Sequence, residues 1–249
     1  MDNSKIIKLK KQFEDFLIES NSDILKFYTT LILKKQDCYN EFSNHADKNQ
    51  KLYFADGAIG SGKSTIMKNY IIRHKIENLL YYNPEYYVNC FGLDTDFISE
   101  YNKVKKYLWK DIQERILTEE SVIVESVFTK EEKINFLKFA KEQGYKLNGI
   151  YVGTNNPNIN IERVNKRIQE GSHTVPEEKI IDRYYKSLEK LQTIFEISDT
   201  FILYDNSYKP SLILYKEINH ICIANTFPSW ANDFLLKKIN LNDYDYTRY

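Results

Sequence analysis

The run Gly57-Ala58-Ile59-Gly60-Ser61-Gly62-Lys63-Ser64 constrains this chain more than any other feature. It fits G-x-x-x-x-G-K-[ST] without a substitution. An apolar run, Leu52-Tyr53-Phe54-Ala55, predicts a buried strand directly before it, and residues 64–78 predict a helix directly after it. Glycines let the backbone wrap round an anion so that successive N–H groups point inward, and the helix N-terminus adds partial positive charge. The pattern therefore predicts that Gly57, Ala58, Ile59, Gly60, Ser61, Gly62, Lys63, Ser64 and Thr65 cradle the phosphates of a nucleoside triphosphate, ATP or GTP. In such a cradle Lys63 reaches the β and γ phosphates, Ser64 offers its hydroxyl to Mg²⁺, and Thr65 lies close enough to assist. The chain carries neither an LSGGQ-like signature nor an NKxD-type guanine reader.

Downstream, short apolar runs alternate with amphipathic stretches. Strands are predicted at 86–91, 122–124, 147–152 and 201–204, and helices at 103–117, 129–144, 161–170 and from Pro176 onward. Thr129, with Glu132 three residues on, reads as a capping box. The runs 212–215 and 221–224 predict a hairpin, and the end of the chain is polar. Strands alternating with helices predict parallel βαβ units, hence an α/β three-layer fold with a mostly parallel central sheet spanning 51–249. Ile6, Leu9, Phe13, Phe16 and Leu17, then Ile24, Phe27, Tyr28, Leu31 and Ile32, predict a helical extension over 1–50.

With 35 basic and 35 acidic residues the formal charge is zero, which argues against a generic nucleic-acid binder, since such proteins carry a basic excess. Cys38, Cys90 and Cys222 are odd in number and far apart, and fit neither a disulfide framework nor a CxxC metal site. No apolar run approaches the roughly 20 residues of a membrane span, and no apolar h-region follows the N-terminus. The expectation is a cytoplasmic protein without a membrane partner.

Moving a phosphoryl group needs a carboxylate to orient or deprotonate the acceptor hydroxyl, and cations to neutralise the charge in flight. Asp94 and Asp96, in Asp94-Thr95-Asp96-Phe97-Ile98, follow a predicted strand, where ligands of open α/β sheets sit. Asp96 is the preferred base and Asp94 the second choice; a helix cap and first-turn charge is the competing reading. Glu125 ends an otherwise apolar strand, a costly place for an acid unless it meets metal, water or a donor. Arg163, Arg167 and Arg183 supply candidate cations around a Gly171-Ser172-His173-Thr174 loop that reads as a lid between two helices, although arginines four apart equally describe a solvated face. His173 reads as a brace for that loop.

Together these residues resemble the zeta-toxin family of P-loop kinases, in its predicted-ATPase branch. Arg163, Arg167, Gly171, His173, Val175, Pro176, Ile180, Arg183, Tyr184, Ser187 and Leu188 fit that branch's R-x3-R-x3-G-G-H-x-V-P-x3-I-x2-R-Y-x2-S-L pattern, with Ser172 at the second glycine. The family's N-x-D-x-I element is similar to Asp94-Thr95-Asp96-Phe97-Ile98, its E-T-T element to Glu125-Ser126-Val127, and the ending Tyr204-Asp205-Asn206-Ser207 also matches. The resemblance spans 51–207. It implies a P-loop kinase-like fold and transfer of a γ-phosphate to a small hydroxylated acceptor, in zeta toxins the 3′-hydroxyl of UDP-N-acetylglucosamine and other UDP-amino sugars. It also implies an antitoxin protein as partner. Two further readings stay open from the residues alone: a kinase of nucleosides or nucleic-acid ends, and a nucleotide-dependent binding switch with no acceptor.

Overall fold

The computed structural model describes residues 50–76, 79–83, 98–118, 120–170 and 174–249. The helical extension expected over 1–50, the strand expected at 86–91, and Asp94, Asp96 and His173 lie outside the described residues, apart from Gln50 itself.

Chain order runs β1 (Lys51–Asp56), α1 (Lys63–Arg73), β2 (Leu80–Tyr82), α2 (Ile98–Leu117), β3 (Val122–Glu125), α3 (Glu131–Glu142), β4 (Lys146–Gly153), α4 (Pro157–Gln169), α5 (Glu177–Ile197) and β5 (Thr200–Asp205). The hairpin β6 (Ser211–Glu217) and β7 (His220–Ile223) follows, then a short helix α6 (Ser229–Ala231) and the edge strand β8 (Asp245–Arg248). Among the described residues the strands form one sheet of eight, in the order β2-β3-β1-β4-β5-β6-β7-β8. The first five are mutually parallel, β6 and β7 run antiparallel to their predecessors, and β8 lies parallel to β7. β1 sits between β3 and β4, so the chain leaves it to one side and returns on the other. That reversal opens a crevice at the carboxyl end of β1, where open α/β sheets bind ligands.

Strand alternation explains the layers. Leu52 and Phe54 face a core filled by Leu108, Ile112 and Ile116 of α2, Ile134 and Leu137 of α3, and Leu188, Leu191 and Phe195 of α5. Ala55, Ile123, Ile150 and Val152 face the other way, against Ile66 and Met67 of α1. Burying one such Leu, Ile or Phe side chain contributes about 1.5–3 kcal/mol, so these two faces fix which side of the sheet each helix covers. Tail residues Trp230, Ala231 and Leu235 join the larger core.

Local chemistry departs from expectation at several points. α3 starts at Glu131 with Lys130 at the cap and no side-chain cap bond, so the Thr129–Glu132 capping box does not form. Instead Glu131 and Glu132 place negative charge in the first turn, where the helix dipole favours it. α4 begins at Pro157, earlier than its apolar periodicity indicated, because the Asn156 side chain accepts from Asn158 N–H and Pro157 presets the first helical φ. The polar end of the chain, for which no strand was predicted, supplies β8. No described helix is long and apolar enough to cross a membrane.

Candidate active site

The glycine loop fills the turn between β1 and α1. Gly60 and Gly62 sit at φ +78° and +96°, where a side chain strains the backbone. A Cβ on Gly60 would stand 2.6 Å from the Asn160 carbonyl oxygen, and one on Gly62 only 2.4 Å from Asn206 Nδ2, so both positions also need the space. Gly62 caps α1 without any side-chain bond, which leaves the first N–H groups of that helix available to an anion. Ala58, Ile59, Ser61 and Lys63 are buried, Gly60, Gly62 and Ser64 half-buried, and Thr65 exposed. Lys63 folds back over the loop and its Nζ donates to the Ala58 carbonyl at 2.9 Å. Ile59 packs with Val127, Val164 and Ile180, so the loop tip rests on the apolar sides of α4 and α5.

Glu125 ends β3 beside Ala55, in register across the parallel pair. Its carboxylate is buried, and Ser64 Oγ donates to Oε1 at 2.5 Å. The Tyr81 hydroxyl, from β2, donates to Oε2. A serine hydroxyl and a carboxylate side by side at the loop mouth are the hard oxygen donors Mg²⁺ takes, the cation completing its shell with phosphate oxygens and water. The residues present therefore fit that ion.

Asp56, which the sequence reading passed over, ends β1 immediately before the loop. It is fully buried, and its Oδ1 accepts the Phe128 N–H at 2.8 Å while Oδ2 has no hydrogen-bond partner among the described residues. Burial pushes its carboxyl up to about 6, against the opposing pull of the Phe128 and Gly57 N–H groups and of Lys63 and Lys133. The rule that flagged Glu125, an acid closing an apolar strand, applies equally to Leu52-Tyr53-Phe54-Ala55-Asp56 and would have found it. Lys133 of α3 was also missed; its Nζ donates to Ser126 Oγ and, at 2.9 Å, to the Val127 carbonyl.

The arginines occupy unlike surroundings. Arg163 is half-buried and its Nη2 donates to the Asn206 carbonyl at 2.8 Å, while Nη1 is buried without a hydrogen-bond partner among the described residues. Arg167 is exposed and Arg183 half-buried. Tyr184 and Ser187 face back onto β4: the Tyr184 hydroxyl donates to the Thr154 carbonyl at 2.7 Å, and Ser187 Oγ lies 2.9 Å from the Tyr151 hydroxyl. Val127, which stands where the family element has a hydroxyl, belongs to the apolar cluster under the loop tip.

The fold that carries this cradle and carboxylate has counterparts among solved structures. The PezAT chromosomal toxin–antitoxin system of Streptococcus pneumoniae matches with a TM-score of 0.55 over 86% of this chain and 89% of that one, at 15% identity. The fold is a P-loop kinase fold of the zeta-toxin type. The AvrRxo1-ORF1:ORF2 complex shares it, with a TM-score of 0.55 over 70% of this chain and 61% of that one, at 11% identity. The same complex with ATP matches at 0.53 over 68% and 59%, at 13% identity. This chain thus spans about three fifths of the length of the AvrRxo1 chains it matches. No protein-family model and no curated protein matches the sequence. Within this P-loop kinase fold, the conformation-restricted glycines, Lys63, Ser64 and Glu125 all gather at the carboxyl end of β1.

Proposed function

We propose that the chain is a kinase that transfers the γ-phosphate of ATP or GTP to a hydroxyl of a small acceptor. The observation that carries this reading is the Ser64–Glu125 pair, a hydroxyl and a buried carboxylate 2.5 Å apart at the mouth of an unsubstituted P-loop. A phosphate cradle alone serves any nucleotide binder. A metal-binding hydroxyl beside a carboxylate that can order an ion, water or acceptor is what phosphoryl transfer adds.

In this reading Lys63 leaves the Ala58 carbonyl and, with the loop N–H groups, holds the phosphates. Ser64 and Glu125 hold Mg²⁺, which when bound neutralises charge on the phosphate oxygens. Tyr81 keeps the Glu125 carboxylate aimed at Ser64. Asp96 takes the acceptor proton, with Asp94 as the second candidate, and Arg163, Arg167 and Arg183 are the cations available to the transferring group. The resemblance to zeta toxins favours a UDP-amino sugar such as UDP-N-acetylglucosamine as the acceptor. It also favours a role as the toxin of a toxin–antitoxin pair, acting in the cytoplasm and held by an antitoxin protein.

The test is incubation with γ-labelled ATP and GTP against separate pools of UDP-sugars, nucleosides and oligonucleotides. Label is expected on a UDP-amino sugar. Label on oligonucleotides or nucleosides alone would replace the acceptor class, and hydrolysis without transfer to any pool would refute the kinase reading. Asp96→Asn is expected to lower kcat by roughly 10²–10⁴-fold while nucleotide affinity holds. That phenotype from Asp94→Asn instead would move the base by two residues.

A further inference from the structure

Two buried asparagines from opposite sides of the crevice hold the backbone of the glycine loop. Asn160, in the first turn of α4, donates from Nδ2 to the Ile59 carbonyl at 2.7 Å. Asn206, just after β5, donates from Nδ2 to the Ser61 carbonyl at 2.8 Å. Each asparagine is held by further bonds. Asn160 Oδ1 accepts the Thr154 hydroxyl at 2.5 Å. Around Asn206 the backbone is pinned on both sides, its N–H donating to the Gly153 carbonyl at 2.8 Å and its carbonyl accepting Arg163 Nη2 at the same distance.

A trans peptide is planar, so the carbonyl of one residue and the N–H of the next point in opposite directions. Drawing the Ile59 carbonyl toward α4 therefore turns the Gly60 N–H away from α4. Drawing the Ser61 carbonyl toward Asn206 turns the Gly62 N–H away from β5. Among the described residues neither the Gly60 nor the Gly62 N–H has an acceptor. Both glycines adopt positive φ, the conformation that lets alternate peptides in a tight loop turn their N–H groups to one side.

We propose that Asn160 and Asn206 are positioning residues of the phosphate cradle, which fix the Ile59 and Ser61 carbonyls outward and thereby aim the Gly60 and Gly62 N–H groups at the phosphates beyond the first. The inference rests on the reading of this loop as a nucleotide site. It gives α4 a double part, since it carries Asn160 and also Arg163, which anchors the carbonyl of Asn206. Neither asparagine touches the ligand. Their effect is preorganisation: N–H groups already aligned lose no conformational freedom when the phosphates arrive.

The experiment is calorimetric titration of the full chain, and of Asn160→Leu and Asn206→Leu, with ADP and with AMP. Leucine keeps approximate size and removes the donor. Each variant is expected to bind ADP about tenfold more weakly, the scale of one buried carbonyl losing its partner, with AMP affinity changed by less than about threefold. Equal weakening of both ligands, or unchanged ADP affinity in folded variants, overturns the proposal. A parent chain that binds neither ligand overturns the nucleotide-site reading and this inference with it. Should the variants not fold, the unmodified chain carries the test, because a ¹⁵N-glycine-labelled sample shows only eight backbone signals. The Gly60 and Gly62 signals are expected to shift with ADP and to shift much less with AMP; if neither moves with ADP, the proposal fails.

Discussion

Replacing Asp56 with asparagine isolates the cost of a charge buried directly beside the glycine loop. Its carboxyl stands at about 6 against an ordinary 3.8, because burial outweighs the Phe128 and Gly57 N–H groups and the charges of Lys63 and Lys133. Tyr151, the further titratable group facing it, is itself pushed up by burial and stays neutral across this range. A carboxyl whose value is raised by folding favours the protonated folded state. Its stabilising contribution is complete below 3.8 and is lost as pH rises through about 6. The gap corresponds to about 3 kcal/mol in full, of which about 2 kcal/mol falls between pH 4.5 and 7.5. Asparagine keeps an oxygen for the Phe128 N–H and carries no charge at any pH. Urea unfolding of both proteins at pH 4.5 and 7.5, followed by circular dichroism, yields the parent–variant difference at each pH and cancels every other titrating group. That difference is expected to move by about 2 kcal/mol in favour of the Asp56→Asn variant at the higher pH. A difference equal at both pH values, within about 0.5 kcal/mol, would refute the burial argument, whatever the absolute stabilities.

Lys63→Ala is expected to leave circular dichroism unchanged and abolish transfer, since among the described residues its Nζ bonds only within the loop; near-normal turnover would remove the site. Tyr81→Phe frees one oxygen of the Glu125 carboxylate, and is expected to raise the Mg²⁺ concentration needed for half-maximal rate by about tenfold with KM for ATP nearly unchanged. A proportional loss at all Mg²⁺ concentrations would count against that role. Gly153→Ala places a Cβ 2.2 Å from Trp230 Cη2, and is expected to cost about 1–3 kcal/mol or more, read as a fall in Tm. An unchanged Tm would mean that the tail does not pack as described.

How far the molecule could be read from its sequence follows from the range over which each feature acts. β1, the loop and α1 are contiguous, and an unsubstituted pattern between a strand and a helix left little freedom. The apolar stripe Ile180, Tyr184, Leu188 and Leu191 placed α5 correctly, because helical spacing depends only on near neighbours. β8 escaped notice for the opposite reason. It is an edge strand exposed at every position, with no apolar alternation to betray it, and it exists through its register with β7. β2 is three residues long, too short for any period to register, yet it carries the tyrosine that holds Glu125. Asn160 and Asn206 were the least legible of all. They act on carbonyls 101 and 145 residues away in sequence, and nothing local distinguishes either from a surface amide.

The arginine pattern shows how one helix face divides its labour once it is folded. Asn160, Arg163, Val164 and Arg167 are three or four residues apart, so they share the side of α4 that meets the glycine loop. Along that face the environment changes from inside to outside. Asn160 is buried on the loop backbone, Val164 is buried against its tip, and Arg163 is half-buried on Asn206. Arg167 stands one turn beyond, about 6 Å further along the axis, and is exposed with no partner among the described residues. A spacing of four therefore yields two chemically different cations. Arg163 commits Nη2 to the backbone that anchors Asn206, while its Nη1 is buried with no hydrogen-bond partner among the described residues. Arg167 has no such bond to break among the described residues, and is exposed. The first is tied into the backbone beside the glycine loop, and the second stands in solvent.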